Sequence, residues 1–438
     1  MTAGDPTADI MTVEPSTGPL DVTITDVPGS KSIANRALAC AALANGDSRL
    51  TNVPGGDDSQ AMLECIDVLG AAVAGRADVV TIMGTGGRLR PGPVTLPTRL
   101  AGTTSRFITA MCALGRGTYT IDGAAPLRAR PMAPLHDALA AIGIGVTPVG
   151  RAGHLPVMIE GVERRAWPGV QSVVRMRGDV SSQYVTALML IAPYLAGGLR
   201  IDLTTPLISR PYVEMTALVM AAFDGPTVEV GVDSIEVAPG RYIGHDMVIE
   251  ADASSASYPL AAAAICGGRV TVIGLSHSSA QGDARFADVL ERMGCVVTWG
   301  AEGVTVASSH GLVGIEVDMA DISDTVPTLA VVAAYAATPT RITGVGFIRH
   351  KESDRIGDLI GELSRLGVRA DEEPDGMVIH PSVPHGGRVA THHDHRLAMS
   401  LALVGLRTPG VEIADPGVVS KSWPGYWTML RGLATGQR

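Results

Sequence analysis

Eight basic residues occupy positions where local helix chemistry does not ask for them. Lys31 and Arg36 lie in "PGSKSIANRALACAAL", Arg106 in "AGTTSRFITAMCAL" and Arg396 in "HHDHRLAMSLALVGL", each within the first two turns of an apolar, helix-like run. Arg130 in "LRARPM", Lys351 and Arg355 in "HKESDRI", and Lys421 in "VVSKSWP" fall in the loops between such runs. A helix N-terminus carries partial positive charge and is capped by Ser, Thr, Asp or Asn, not by cations. Cations there become sensible when an anionic ligand sits among them, held by guanidinium forks and backbone N–H groups. Two carboxylates, Asp324 in "ISDTVP" and Glu352 in "KESDR", stand in the same stretches. On spacing alone Glu352 is an i,i+3 partner of Arg355, and Asp324 a helix cap.

The run "GSKS" invites a nucleotide-binding reading, which fails on its own terms. A Walker A loop needs G-x-x-x-x-G-K-[ST], and here Ser30 and Thr25 occupy both glycine positions. Pro28-Gly29 reads instead as a hinge, with Ser30 or Ser32 capping a helix and Lys31 left without a protein partner that its position demands. The cluster "HHDHR" suggests a metal, but no second cluster supplies further ligands at metal-like spacing. His395 is expected to pack or hydrogen-bond, and Asp394 to cap the following helix.

Bulk composition narrows the classes further. The chain has 438 residues and a formal net charge of −10, which argues against a general nucleic-acid binder but leaves room for a local cationic pocket. Hydrophobic residues make up 46% and aromatics only 4%, so the core must be built from aliphatic residues and Ala. Five widely spaced cysteines, Cys40, Cys65, Cys112, Cys266 and Cys295, read as buried free thiols in a reducing compartment. The first twenty residues lack the basic and apolar regions of a secretion signal, and no apolar run reaches the roughly 20 residues of a membrane span. A cytoplasmic protein with no membrane or nucleic-acid partner is expected.

The elements that must position the cations form a repeat. A small-polar cluster followed by an apolar helix starts at Pro28, Ala101, Gly178, Ala251, Asp321 and His392, with spacings of 73, 77, 73, 70 and 71 residues. Each helix is followed by a strand such as "SRLTNV", "GTYTID", "GRVTVI" or "TRITGV". A more polar helix ending near Leu-Gly, Met-Gly or Ile-Gly comes next, and short strands such as "VVTIMG" or "GMVIHP" close several units. Runs such as "YPLAAAAICGG" are apolar on every side, as helices buried all round must be. Six α/β units of about 70 residues suit two domains of three units each.

The ordered set "PGSKSIANRAL", "AGTTSRF", "RARPM", "SSQYVTAL", "LISRPY", "DASSASY", "ISDTVPTLA", "KESDRI", "DHRLAM" and "SKSWPGYW" resembles the EPSP synthase (5-enolpyruvylshikimate-3-phosphate synthase) family of enolpyruvyl transferases. The resemblance runs from about Asp26 to Lys421. It implies an α/β fold of two similar domains, each of three pseudo-equivalent units, with the active site in the inter-domain cleft. Residues 1-29 and 250-438 would form the first domain and 30-249 the second. The implied reaction moves the enolpyruvyl group of phosphoenolpyruvate to the 5-hydroxyl of shikimate 3-phosphate and releases phosphate, a step towards chorismate and the aromatic amino acids. The alternative is a paralogue acting on UDP-N-acetylglucosamine or another phosphorylated cyclitol.

Carried over position by position, the resemblance places shikimate 3-phosphate on Ser181, Ser182, Gln183, Ser209 and Tyr212, with Ser32 and Arg36 at its carboxylate. Phosphoenolpyruvate falls to Lys31, Gly102, Arg130, Arg355, Arg396 and Lys421, with Gln183 touching both ligands; Lys351 and His395 are substrate-binding residues not assigned to one ligand. Asp324 is implied at the hydroxyl and Glu352 at the methylene carbon, with Lys31 assisting. No cofactor or metal is implied, and a monomer is expected. Gly102, retained rather than Ala, implies sensitivity to glyphosate, which occupies the phosphoenolpyruvate site. Leu100 stands where many members have Asn, Phe107 where proline is frequent, and Phe347 where others carry an Asn that touches shikimate 3-phosphate.

Overall fold

The computed structural model describes residues 9–76, 78–162, 169–309 and 311–436; residues 1–8 of the N-terminal stretch read above lie outside them. The chain divides into two compact units, one formed by Met1–Pro28 with Ala251–Arg438 and the other by Gly29–Glu250. At the start of the second unit, Gly29 lies so close to another strand end that a Cβ would sit 1.8 Å from the carbonyl oxygen of Asn52. Only glycine tolerates that backbone approach.

Six apolar helices form the centres of the units: α1 (Lys31–Leu43), α2 (Gly102–Cys112), α3 (Ser182–Ile191), α4 (Ala253–Cys266), α5 (Val326–Ala333) and α6 (His395–Gly405). In α4 every residue from Ala253 to Ile265 is buried, in accord with its lack of a polar face. In one unit the small-polar cluster forms a turn of its own ahead of the helix. The run from Asp321 opens as a 3₁₀ turn over Ala320–Thr325, and α5 begins only at Val326. Pro327 explains the delay, since it lacks an N–H and suits only the first turn of a helix.

Beside these helices, among the described residues, lie six small sheets built on one plan. In the Gly29–Glu250 unit, Asp47–Thr51 pairs parallel with Met247–Val248 and antiparallel with Val79–Met83, which pairs antiparallel with Ala72–Arg76. The strands Gly117–Asp122 and Leu199–Leu203 repeat the arrangement with Val94–Pro97 and Ser172–Met176 as their parallel partners. In the other unit, Gly268–Ile273 and Thr340–Thr343 do the same with Leu20–Ile24 and Glu316–Asp318. The sixth sheet has three strands: Val411–Ala414 pairs parallel with Gly387–Val389 and antiparallel with the N-terminal strand Ile10–Thr12. Alternating burial in Leu20–Ile24 turns Leu20, Val22 and Ile24 inward, the period-two pattern of a strand with one packed face.

The helix centres contain a few hydroxyls that satisfy one another. Ser257 of α4 lies 3.1 Å from the Thr328 hydroxyl of α5, which lies 3.3 Å from that of Ser400 in α6. These residues are 71 and 72 apart, so they occupy equivalent places in successive repeats. Cys40, Cys65, Cys112 and Cys295 are buried, Cys266 is half-buried, and all five are free thiols.

Candidate functional site

In the Gly29–Glu250 unit the site residues gather at helix starts. Ser30, not Ser32, caps α1, its hydroxyl accepting from the Ile33 N–H at 3.4 Å. Lys31 follows at the first helical position, and it has a partner after all: its Nζ lies 3.2 Å from Oδ2 of Asp58. The expectation of a lysine without a protein partner is therefore corrected. Asp58 sits in the first turn of the helix Asp57–Val68 and is buried. A partnerless ammonium beside a buried carboxylate would leave that carboxylate uncompensated. The Asp58 carbonyl accepts from the Thr104 hydroxyl of α2 at 3.0 Å, which links the starts of these helices.

Arg36 is buried one turn further along α1 and makes several bonds inside its unit. It donates from Nε to the Thr216 hydroxyl (2.8 Å), from Nη1 to the Ser32 carbonyl (2.7 Å) and from Nη2 to the Tyr212 carbonyl (3.0 Å). Its guanidinium also lies over the rings of Phe107 and Tyr212. Burial pushes its pKa down to about 10, against smaller opposing contributions from Tyr212 and Cys40. Arg36 thus ties Ser32 and Tyr212 into one structure, and Phe107 has a packing role under it. Arg106 is buried too, donating to the Gly102 carbonyl from Nη1 (2.6 Å) and lying over the Tyr184 ring.

Gly102 opens α2 against two guanidinium groups. A Cβ there would lie 2.6 Å from Arg130 Nη1 and 2.8 Å from Arg106 Nη1. Ser181 caps α3, its hydroxyl accepting from the Gln183 N–H at 3.3 Å, and Ser182 is the first residue of the helix. Ser209 adopts φ 53°, a left-handed conformation, just before the helix Arg210–Ala222 that carries Tyr212. That conformation costs a non-glycine residue roughly 1–2 kcal/mol, and it is held at one of the residues implicated by the sequence.

In the other unit the cations and carboxylates form one alternating chain. Lys421 Nζ lies 2.9 Å from Glu352 Oε1, and Glu352 Oε2 accepts from Arg355 Nη2 at 2.8 Å. Arg355 Nη1 donates to Asp324 Oδ1 at 3.0 Å, and Asp324 Oδ2 accepts from Arg396 Nη2 at 2.6 Å. Asp324 precedes α5 in the 3₁₀ turn and gives no side-chain cap to it, which removes the helix-cap reading.

Asp394 braces this chain from behind. It caps α6 by accepting from the Arg396 N–H at 2.9 Å, and its other oxygen accepts from Arg355 Nε at 2.7 Å and from the Ser353 hydroxyl at 3.1 Å. Burial alone would lower the Arg355 pKa, but Asp394, Glu352 and Asp324 outweigh it and the net shift is upward. His395 packs beside this cap, 1% exposed. Lys351 lies 5.5 Å from the ring centre of Phe347, within cation–π range.

The remaining histidines of "HHDHR" turn elsewhere. His392 Nε2 lies 2.9 Å from Glu362 Oε1, and His393 Nδ1 lies 3.4 Å from Asp415 Oδ2. Among the described residues no group of three or more His, Cys, Asp or Glu side chains could hold a metal ion. Sequence reasoning missed Asp58 and also Asp283, a buried carboxyl that accepts from the Ser254 hydroxyl. Burial, then the nearby Asp324 charge, push Asp283 up to about 7. Neither stands in a run whose spacing marks it, so nothing local could have singled it out.

Comparison with known proteins then decides the family. The model of the EPSP synthase (3-phosphoshikimate 1-carboxyvinyltransferase) family matches residues 16–430. The chain belongs to the EPSP synthase family. Among the family's curated members, the 3-phosphoshikimate 1-carboxyvinyltransferase of Nostoc sp. is 41% identical over 413 residues, covering 94% of this chain and 96% of its own. That of Methanosphaerula palustris is 40% identical over 417 residues, covering 94% and 97%. The solved EPSP synthase of Acinetobacter baumannii superposes with a TM-score of 0.83 at 26% identity, over 97% of this chain and 98% of its own. The enolpyruvyl transferase NikO of Streptomyces tendae shares the fold, with a TM-score of 0.77 at 19% identity over 97% and 98% of the two chains. No helix among the described residues is long and apolar enough to cross a membrane.

Proposed function

We propose that the chain transfers the enolpyruvyl group of phosphoenolpyruvate to the 5-hydroxyl of shikimate 3-phosphate, with Asp324 and Glu352 as its acid–base pair. Family membership supports the reaction. The observation that supports the roles is the chain Lys421–Glu352–Arg355–Asp324–Arg396, in which each carboxylate has a cation on either side. Lys31, Gly102, Arg130, Arg355, Arg396 and Lys421 would receive the phosphate and carboxylate of phosphoenolpyruvate. Ser181, Ser182, Gln183, Ser209 and Tyr212 would grip shikimate 3-phosphate through hydroxyls and an amide, with Ser32 and Arg36 at its carboxylate end and Lys351 and His395 alongside.

The chemistry is addition followed by elimination. A proton added to the methylene carbon makes C2 cationic in character. The 5-hydroxyl, giving its proton to Asp324, attacks C2 to form a tetrahedral ketal. Loss of phosphate from C2 and of a methyl proton restores the double bond in the enol ether. Glu352, with Lys31 assisting, serves the methylene and methyl carbon in both directions. Fixed guanidinium groups stabilise the charge that develops on the departing phosphate. Protein incubated with both substrates is expected to release phosphate stoichiometrically with the enol ether, and to release none with either substrate alone. Release with UDP-N-acetylglucosamine and phosphoenolpyruvate, but not with this pair, would overturn the assignment.

Gly102 makes a separate prediction. In Gly102→Ala the new methyl would crowd two guanidinium groups, and Arg106 is pinned by its bond to the Gly102 carbonyl, so Arg130 should give way. Steady-state kinetics should show KM for phosphoenolpyruvate raised about tenfold, with kcat and KM for shikimate 3-phosphate changed less than about twofold, because only one contact is displaced. Inhibition by glyphosate, competitive with phosphoenolpyruvate, should weaken at least as much. An unchanged KM for phosphoenolpyruvate would remove Arg130 from that subsite.

A further inference from the structure

We propose that Glu352 and Asp324 also act as stand-ins for the substrate's anionic groups, occupying the N–H donors of Lys421, Arg355 and Arg396 until a phosphate or carboxylate exchanges with them. The proposal rests on the reading that these three cations receive the anions of phosphoenolpyruvate, and it adds a positioning role to two residues proposed for proton transfer.

The first support is charge balance. Three cations, Arg355, Arg396 and Lys421, face three carboxylates, Asp324, Glu352 and Asp394. Asp283, Asp252 and Tyr258 act on Arg396 as well. The cluster is at best neutral, so it offers a multiply charged anion no net attraction while all its carboxylates stay in place. An incoming anion also needs the directions of the N–H donors that Glu352 and Asp324 already use, at 2.6 to 3.0 Å.

The second support is that the carboxylates differ in their freedom to leave. Asp394 has 0% side-chain exposure and is fixed by the Arg396 N–H, the Ser353 hydroxyl and Arg355. Glu352 and Asp324 keep 16% and 20% side-chain exposure, while the Arg355 and Arg396 side chains are only 2% and 6% exposed. Arg355 is thus held from behind by Asp394, and the two more exposed carboxylates are the ones placed to swing away. In the absence of ligand those carboxylates keep buried cations from standing unpaired, an arrangement that would otherwise be costly. Displacement has a chemical consequence: a carboxylate freed of two cationic neighbours holds a proton more readily. Substrate binding itself would then ready both groups for proton transfer.

Calorimetric titration of the full-length protein with inorganic phosphate alone tests the exchange without any turnover. Glu352→Gln and Asp324→Asn are each expected to bind phosphate about tenfold more tightly than the unaltered chain, since one competing charge within a few ångströms is gone. Glu412→Gln removes the same charge from the exposed pair with Arg388 and should leave phosphate affinity unchanged. Equal or weaker binding in both site variants, or equal tightening in Glu412→Gln, overturns the proposal. The amide replacements keep shape, and the melting curve of each variant verifies its fold. Failure of the two-substrate assay would bear on the reaction alone, because phosphate titration reads the exchange directly.

Discussion

Replacing Arg355 with methionine is expected to lower the thermal midpoint by roughly 10 °C, and to reduce turnover about a thousandfold or more. Arg355 is 1% exposed and bonds to Asp394, Asp324 and Glu352 at once. Methionine fills comparable length but strips Asp394 of its guanidinium partner and takes one of two cationic neighbours from both Glu352 and Asp324. Breaking a buried ion pair by removing one partner typically costs about 3–5 kcal/mol. For a unit of about two hundred residues, each kcal/mol shifts the midpoint by roughly 2–4 °C. The loss of turnover follows from geometry, since Arg355 joins both members of the acid–base pair and is itself a proposed phosphate ligand. Arg355→Lys should recover only part of either loss, because one ammonium cannot reproduce a fork that serves three acceptors. A melting midpoint within about 1 °C of the unaltered protein would show that the carboxylates are held by something other than Arg355.

The same residues show which parts of the molecule can be read from sequence. The six apolar helices were legible because burial on all sides leaves a continuous Ala- and Leu-rich run with polar residues only at its start. The strands "GTYTID" and "GRVTVI" coincide with Gly117–Asp122 and Gly268–Ile273, since alternation and β-branching are local properties. The short parallel partners, such as Glu316–Asp318 and Met247–Val248, carry too few residues for a period to emerge.

The ion chain was not legible for a different reason. Apart from the i,i+3 pair Glu352–Arg355, which spacing alone suggests, its links join residues 31, 39, 69 and 72 apart, and no local spacing rule connects those. Cations that looked like vacant anion receptors are already matched by carboxylates of their own unit. Lys31 with Asp58 repeats that lesson in the other unit. Pocket composition was therefore readable, whereas its state of pairing needed the fold.

That pairing gives the second large effect its form. Glu352→Gln and Asp324→Asn are each expected to turn over at least a hundredfold more slowly, the lower end of what a positioned acid or base contributes. Stability should fall by less than in Arg355→Met, because each amide keeps one oxygen acceptor for the cations it faces and both side chains are partly exposed. Two effects on kinetics should then separate. The loss of kcat reports the proton transfer, while KM for phosphoenolpyruvate should fall, because a competing charge has left the cations. A residue that served only to hold Arg355 and Lys421 in place would lower kcat while raising KM. Deuterium incorporation from the solvent into the methylene of recovered phosphoenolpyruvate gives an independent readout. It should be lost in Glu352→Gln, since no other carboxylate stands between Lys421 and Arg355 in the chain described. Near-normal turnover in either variant would remove that residue from acid–base work, and the burden would pass to Lys31, whose ammonium Asp58 holds in place.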